Sequence, residues 1–298
     1  MVVWTLRYRF RSFRSTSLSA RRRFDANRMN TEPQFAVLIW VAFDGTHFHG
    51  MARQRGVRTV ALELEKAIQT IDPRASAVRC VSRTDAGVHA VQQAVAFDTF
   101  KRIQPRGWVL ALSQRLDHDV AVVAAATVPA GFDPRRHVLS KTYTYRIFRS
   151  PVRDPFLEHR AWRICERLNH EAMIAEAQEL VGPHNFAAFR SIHDSRSDTQ
   201  RNLFRVSSEP DPSDERVFSW VIQGDRFMMH MVRIIIGTLV DVGRGRLAPG
   251  ACRRALTSYN RRDLGMTAPA FGLCLSRVVL NHAGADRWPQ VDDSTLVT

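Results

Sequence analysis

From Phe35 to Phe43 nine apolar residues run unbroken and stop at Asp44-Gly45, the pattern of a strand covered on both faces that ends in a tight turn. From Thr59 the apolar positions recur at helical spacing: Val60, Leu64, Ala67, Ile68 and Ile71. Thr59 is a suitable cap and Asp72-Pro73 a suitable stop, so the spacing predicts a helix between them. Val78 to Val81 reads as a short strand that delivers the chain to Ser82-Arg83-Thr84-Asp85-Ala86-Gly87. Val91, Gln93, Val95 and Phe97 then share one face of a further strand. The second half repeats this grammar. Lys141 to Phe148 alternates, with Tyr143, Tyr145 and Ile147 on one face; Met173, Ala177, Leu180 and Val181 form a helical stripe ended by Gly182-Pro183. Val217 to Gln223 predicts a strand, an apolar helix is expected from Arg226, and Leu273 to Leu280 predicts the last strand.

Strand, helix and strand in each half predict an α/β (α+β) protein of two layers rather than one doubly wound sheet. Pro129 to Arg136 suits a linker. This gives an N-terminal α/β domain over 33–135, carrying the Asp85 loop, and a C-terminal α/β domain over 136–282. They are flanked by a disordered basic extension (1–32) and a disordered polar tail (283–298).

Composition narrows the function classes. Hydrophobic residues make up 45% and charged residues 24%, the balance of a globular protein. The most apolar segment, Met228 to Val242, is interrupted by His230, Arg233, Gly237 and Asp241, so a buried helix is expected and no membrane span. The net charge is +14, half of it in residues 1–28, where eight arginines face the single acid Asp25. The rest is still basic, which favours a polyanionic partner; on charge alone a merely soluble basic protein fits equally well. Cys80, Cys165, Cys252 and Cys274 are scattered without a CxxC pair, which suits a reducing compartment and offers neither a zinc knuckle nor a disulfide framework. A cytoplasmic location is expected, or a mitochondrial one if residues 1–28 are a transit peptide. They could equally be an RNA-contacting arm, or lie upstream of a true start at Met29.

The sharpest chemical feature is Arg83-Thr84-Asp85-Ala86-Gly87-Val88-His89 at a strand-to-loop exit. A carboxylate presented there can attack or stabilise an electrophilic sugar carbon, and an arginine two residues earlier can hold a phosphate. In isolation, an Asx-turn would be the better reading of Asp85, core packing the better reading of Tyr143 and Tyr145, and a structural ion pair with Asp241 an open alternative for Arg233. His230, expected on the face of the helix that carries Arg233, reads as a packed helix residue. His47, His49 and His89 lack metal-ligand spacing with the cysteines, so no metal is expected.

Taken together, the motifs carry more. Phe43-Asp44-Gly45, Phe48-x-Gly50, Gln54, the Arg83–His89 motif, Lys141-Thr142-Tyr143-Thr144-Tyr145-Arg146, Asn185-Phe186-x-x-Phe189-Arg190, Phe227-x-x-His230-Met231-Val232-Arg233 and Gly272-Leu273 resemble, in order, the bacterial-type tRNA pseudouridine synthase A family. The resemblance spans about residues 35–280. It implies two pseudo-symmetric domains with mixed, largely antiparallel sheets flanked by helices and meeting at a basic cleft. It also implies a homodimer, tRNA as substrate through its anticodon arm (positions 38, 39 and 40), and no small-molecule cofactor or metal. Position by position it implies that Asp85 is the catalytic aspartate, that Tyr143 stacks on the target base, and that Arg233 pairs with the carboxylate. Arg83 would help hold the flipped nucleotide and Leu273 would form an apolar wall. The physics agrees: an extruded base needs an aromatic platform and apolar walls, and a carboxylate there needs a nearby cation to stay charged. A glycoside or nucleoside hydrolase would need a second carboxylate at a loop exit, which the sequence does not offer convincingly, and a non-catalytic RNA-binding module stays open. Four positions depart from the family pattern: Ser82 stands where glycine is usual, Met51-Ala52 where Trp-Gln is usual, and Ala61 where glutamine is usual.

Overall fold

A computed structural model describes Pro33 and residues 35–281. The expected basic extension and polar tail lie outside the described residues. Strands β1 (Phe35–Phe43), β2 (Arg79–Cys80) and β3 (His89–Thr99) with helix α1 (Val60–Ile71) open the chain. Next come α2 (Pro105–Ser113), β4 (Val120–Pro129) and β5 (Val138–Arg149), followed by β6 (Trp162–Ile164), α3 (His170–Gln178), β7 (Gly182–Asn185) and β8 (Gln200–Pro210). The last elements are β9 (Val217–Gly224), α4 (Met231–Gly243), α5 (Ala251–Ser258) and β10 (Leu273–Leu280).

The mixed, largely antiparallel α/β class is as expected, and the strands of both halves join in one ten-stranded sheet. Its order is β4-β1-β3-β10-β5-β9-β8-β7, with β2 beside β3 and β6 beside β5. The join is made by the last strand. β10 pairs parallel with the start of β3 (Cys274 opposite His89) and antiparallel with β5 (Leu275 opposite Tyr143). The segment that leaves the Asp85 loop and the strand that carries Tyr143 are thereby held one strand apart.

Local chemistry explains the elements that matter for the site. β1 is buried along most of its length because β3 and β4 flank it, so its unbroken apolar run is satisfied. Thr59 caps α1 by accepting from Leu62 N. α4 is buried at every residue except Arg233, the environment that a helix apolar on all sides requires. Gly237 lets it pack tightly, since a Cβ there would stand 1.8 Å from Met266 O.

Three expectations need correction. The helix expected from Arg226 starts at Met231, because His230 takes a left-handed backbone (φ 61°) as its N-cap; His230 is thus off the helix rather than one turn before Arg233 on its face. The stripe ending at Gly182-Pro183 is helical only to Gln178, and Gly182–Asn185 is the edge strand β7, where Pro183 needs no donor on its open side. The expected linker is pinned down: Phe132 is buried, and its carbonyl accepts from Arg79 Nε at 2.9 Å.

Candidate active site

Asp85 sits on the loop between β2 and β3, and that loop is positioned by the segment before α1. Met51 N donates to Thr84 O at 3.1 Å and Gly87 N to Phe48 O at 3.2 Å. Gly50 (φ 93°) approaches so closely that a Cβ would lie 2.6 Å from Thr84 O, which gives the Phe48-x-Gly50 motif a physical cause. Met51, one of the departures from the family pattern, is wholly buried in the core. Behind the loop, the buried amide of Gln93 holds Ser82 at both ends: Ser82 N donates to Oε1 (3.2 Å) and Nε2 donates to Ser82 O (2.7 Å).

Arg233 projects from α4 and meets the Asp85 carboxylate, Nη1 to Oδ2, at 2.9 Å. The two side chains are 16% and 22% exposed, so the pair is largely but not wholly withdrawn from water. Arg233 Nε donates to Ala268 O at 2.8 Å, which fixes the guanidinium plane. His230 Nε2 lies 3.5 Å from the same Oδ2. Burial holds the His230 imidazole below its ordinary range, with Asp85 opposing that shift and Arg233 and His193 adding to it. Arg233 and Asp85, expected to meet, do so; the alternative partner Asp241 lies instead near Arg244, 3.9 Å away.

Tyr143 is buried on β5. Its hydroxyl donates to Ser82 Oγ at 3.2 Å and its ring meets Phe227 edge-on at 5.0 Å. Burial pushes its phenol up to about 12. Ser82, the departure next to the Arg-Thr-Asp triplet, therefore anchors the aromatic ring to the loop that carries Asp85. Leu273 is buried at the start of β10 opposite Tyr145, which places both side chains on the face of the sheet that Tyr143 shares. Arg83 points outward: it is exposed and makes no hydrogen bond or ion pair among the described residues.

Sequence reasoning gave no site role to Gln93, Phe227 or the segment 268–271. That segment offers carbonyls to three side chains around the site: Ala268 O to Arg233, Pro269 O to the Tyr145 hydroxyl (2.9 Å) and Phe271 O to His89 Nε2 (2.9 Å). Backbone acceptors leave no signal in residue identity. Gln93 could have been suspected as a polar residue on a predicted buried face. Among the described residues no helix is long and apolar enough to cross a membrane, and the four cysteines are free.

A largely buried carboxylate held by a guanidinium, beside an aromatic platform and apolar walls, can act on the sugar of a nucleotide turned out of its stack. Comparison with known proteins points the same way. The family model described as tRNA pseudouridine synthase matches residues 39–135 and 177–280. A tRNA pseudouridine synthase A of Syntrophomonas wolfei is 37% identical over 243 residues, covering 81% of this chain and 96% of that protein. Its counterpart in Shouchella clausii is 39% identical over 239 residues (80% and 90%), and that in Staphylococcus aureus 34% over 246 residues (83% and 92%).

Proposed function

The chain belongs to the tRNA pseudouridine synthase family, whose reaction is an isomerisation, and from that premise we propose that it converts uridine to pseudouridine in the anticodon arm of tRNA, at positions 38, 39 and 40, with the Asp85 carboxylate as the reacting group. The observation that carries this reading is the 2.9 Å contact between Asp85 and Arg233. It sets a guanidinium directly against the carboxylate oxygen and orients it in the site. With the uridine turned into the site, the carboxylate addresses C1′ as the N1–C1′ bond breaks. The freed uracil rotates on the Tyr143 ring, C5 forms the new bond to C1′, and the net proton movement is from C5 to N1. Both bonds belong to the substrate, so no cofactor is part of the proposal. The proposal includes a homodimer.

The test is Asp85→Asn. The amide keeps the shape and loses the nucleophile, so tRNA binding should persist while pseudouridine, mapped by chemical labelling and reverse transcription, falls by about 10⁴-fold or more. Product formed by the variant at a rate within tenfold of the parent would refute the assignment.

A further inference from the structure

We infer that Lys141 is a seat for a backbone phosphate of the bound RNA, adjoining the Tyr143 platform. The inference rests on the proposed function for the identity of the ligand, and on the following geometry for the site.

β5 pairs in unbroken register with β9 from Lys141 to Phe148, so Lys141 and Tyr143 point to the same face, about 7 Å apart along the strand. Lys141 is only 8% exposed. Among the described residues its side-chain ammonium makes no hydrogen bond and no ion pair. A lysine on a solvated face would be exposed, and a buried ammonium ordinarily has a carboxylate partner.

The surroundings deepen the anomaly. The groups that act on it are Arg196, Arg201, Arg226 and Asp225. The arginines are already matched: Arg196 to Asp194, Arg201 to Asp198, and Arg226 to Asp198 and Asp225. Four cations thus face three carboxylates, and the unmatched charge is Lys141. The turn Asp225–Phe227 spans both features, with Phe227 against Tyr143 and Arg226 among the charges acting on Lys141. Arg196 ties the facing loop to this turn by donating to Phe227 O. An anion seated there would supply the missing partner while its nucleoside reaches toward Tyr143.

Burial and the three arginines lower the Lys141 ammonium to about 8, so at that pH the free protein carries it about half charged. A phosphate favours the charged form. Binding an anticodon stem-loop at pH 8 should therefore take up about half a proton through this residue, measured by calorimetry in two buffers of different ionisation enthalpy. Lys141→Met should lose that uptake, bind the stem-loop roughly tenfold more weakly, and reduce the slope of log K against log salt by about 0.7 to 0.9, the contribution of one phosphate. A stem-loop with a single methylphosphonate, scanned through the loop, should at one position weaken the wild type by a similar factor and leave Lys141→Met unaffected. Unchanged proton uptake and salt slope in Lys141→Met, or methylphosphonate effects equal in both proteins at every position, would overturn the proposal. Binding is read without turnover, so absence of pseudouridine in the wild-type reaction would sink the proposed function and leave this result intact.

Discussion

Breaking the Asp85–Arg233 contact tests whether the two charges act as a unit, and its size can be worked from the geometry. Fully exposed ion pairs couple by about 1 kcal/mol or less, while removing one partner of a fully buried pair costs about 3–5 kcal/mol. With 16% and 22% exposure and a 2.9 Å contact, this pair falls between, at about 2 kcal/mol of coupling. Arg233→Met also removes the donor to Ala268 O, worth about 1 kcal/mol, so the single variant should lose about 3 kcal/mol. Asp85→Asn leaves Arg233 anchored to that carbonyl and should cost about 1 kcal/mol. The double variant should then cost about 2 kcal/mol, less than Arg233→Met alone, because no unpaired carboxylate remains. At roughly 2–4 °C per kcal/mol for a chain of this size, Arg233→Met should lower Tm by roughly 6–12 °C. Urea denaturation followed by tryptophan fluorescence gives the cycle, with Arg83→Met as the exposed control expected within about 0.5 kcal/mol of the parent. Additivity of the two single changes to within about 0.5 kcal/mol would refute the reasoning and reduce the contact to a surface pair.

The Tyr143–Ser82 contact and the burial of Lys141 give three further predictions. Tyr143→Phe keeps the ring against Phe227 and loses the bond to Ser82 Oγ, so it should cost about 1 kcal/mol of stability and reduce kcat more than KM. Ser82→Gly should reproduce most of that loss and add little to Tyr143→Phe; additive kcat effects would separate the two residues. Lys141 gives a pH signature: an unfolded chain holds its proton up to the ordinary 10.5, the folded chain only to about 8, so folding releases a proton between these values and stability rises with pH across that window. Below pH 8 the buried charge is a full penalty, bounded by roughly 3 kcal/mol at 1.36 kcal/mol per pH unit. Lys141→Met should therefore be more stable than the wild type at pH 7, with the advantage shrinking as pH rises toward 10. A variant of equal or lower Tm at pH 7, with no such trend, would contradict the burial argument.

What the sequence made legible follows from how locally each feature is determined. β1 matches its expected span because an unbroken apolar run ended by turn residues needs little tertiary information, and β10 matches its own although Ser276-Arg277 interrupt its apolar residues. α1 was equally plain from its Thr59 cap. The start of α4 was not: Phe227, Met228 and Met229 continue an apolar pattern, yet Phe227 packs on Tyr143 and a left-handed His230 separates all three from the helix. β7 reads as a helix stop because Gly182-Pro183 ordinarily is one, and only pairing with β8 makes it a strand. Within the site, the residue types at Asp85, Tyr143 and Arg233 were readable, whereas the 148-residue separation of Asp85 from Arg233 is closed by sheet topology alone.

That topology explains why the site depends on the C-terminal end of the described chain. Asp85, Tyr143 and Arg233 come from three segments, and no covalent neighbour fixes their mutual distances. The stretch from Ala268 to Leu273 contributes through its backbone: the carbonyls of Ala268, Pro269 and Phe271 hold Arg233, Tyr145 and His89, and Leu273 then enters the sheet between β3 and β5. Gly272 is required here, because a Cβ would stand 2.7 Å from the Tyr145 ring and force strand and tyrosine apart. Carbonyls cannot be removed by side-chain substitution, so the positions of the reacting groups tolerate changes in the identity of 268–271 that they would not tolerate in its path. The Asp85–Arg233 contact therefore depends on where this segment runs, because Ala268 O holds the guanidinium that meets the carboxylate.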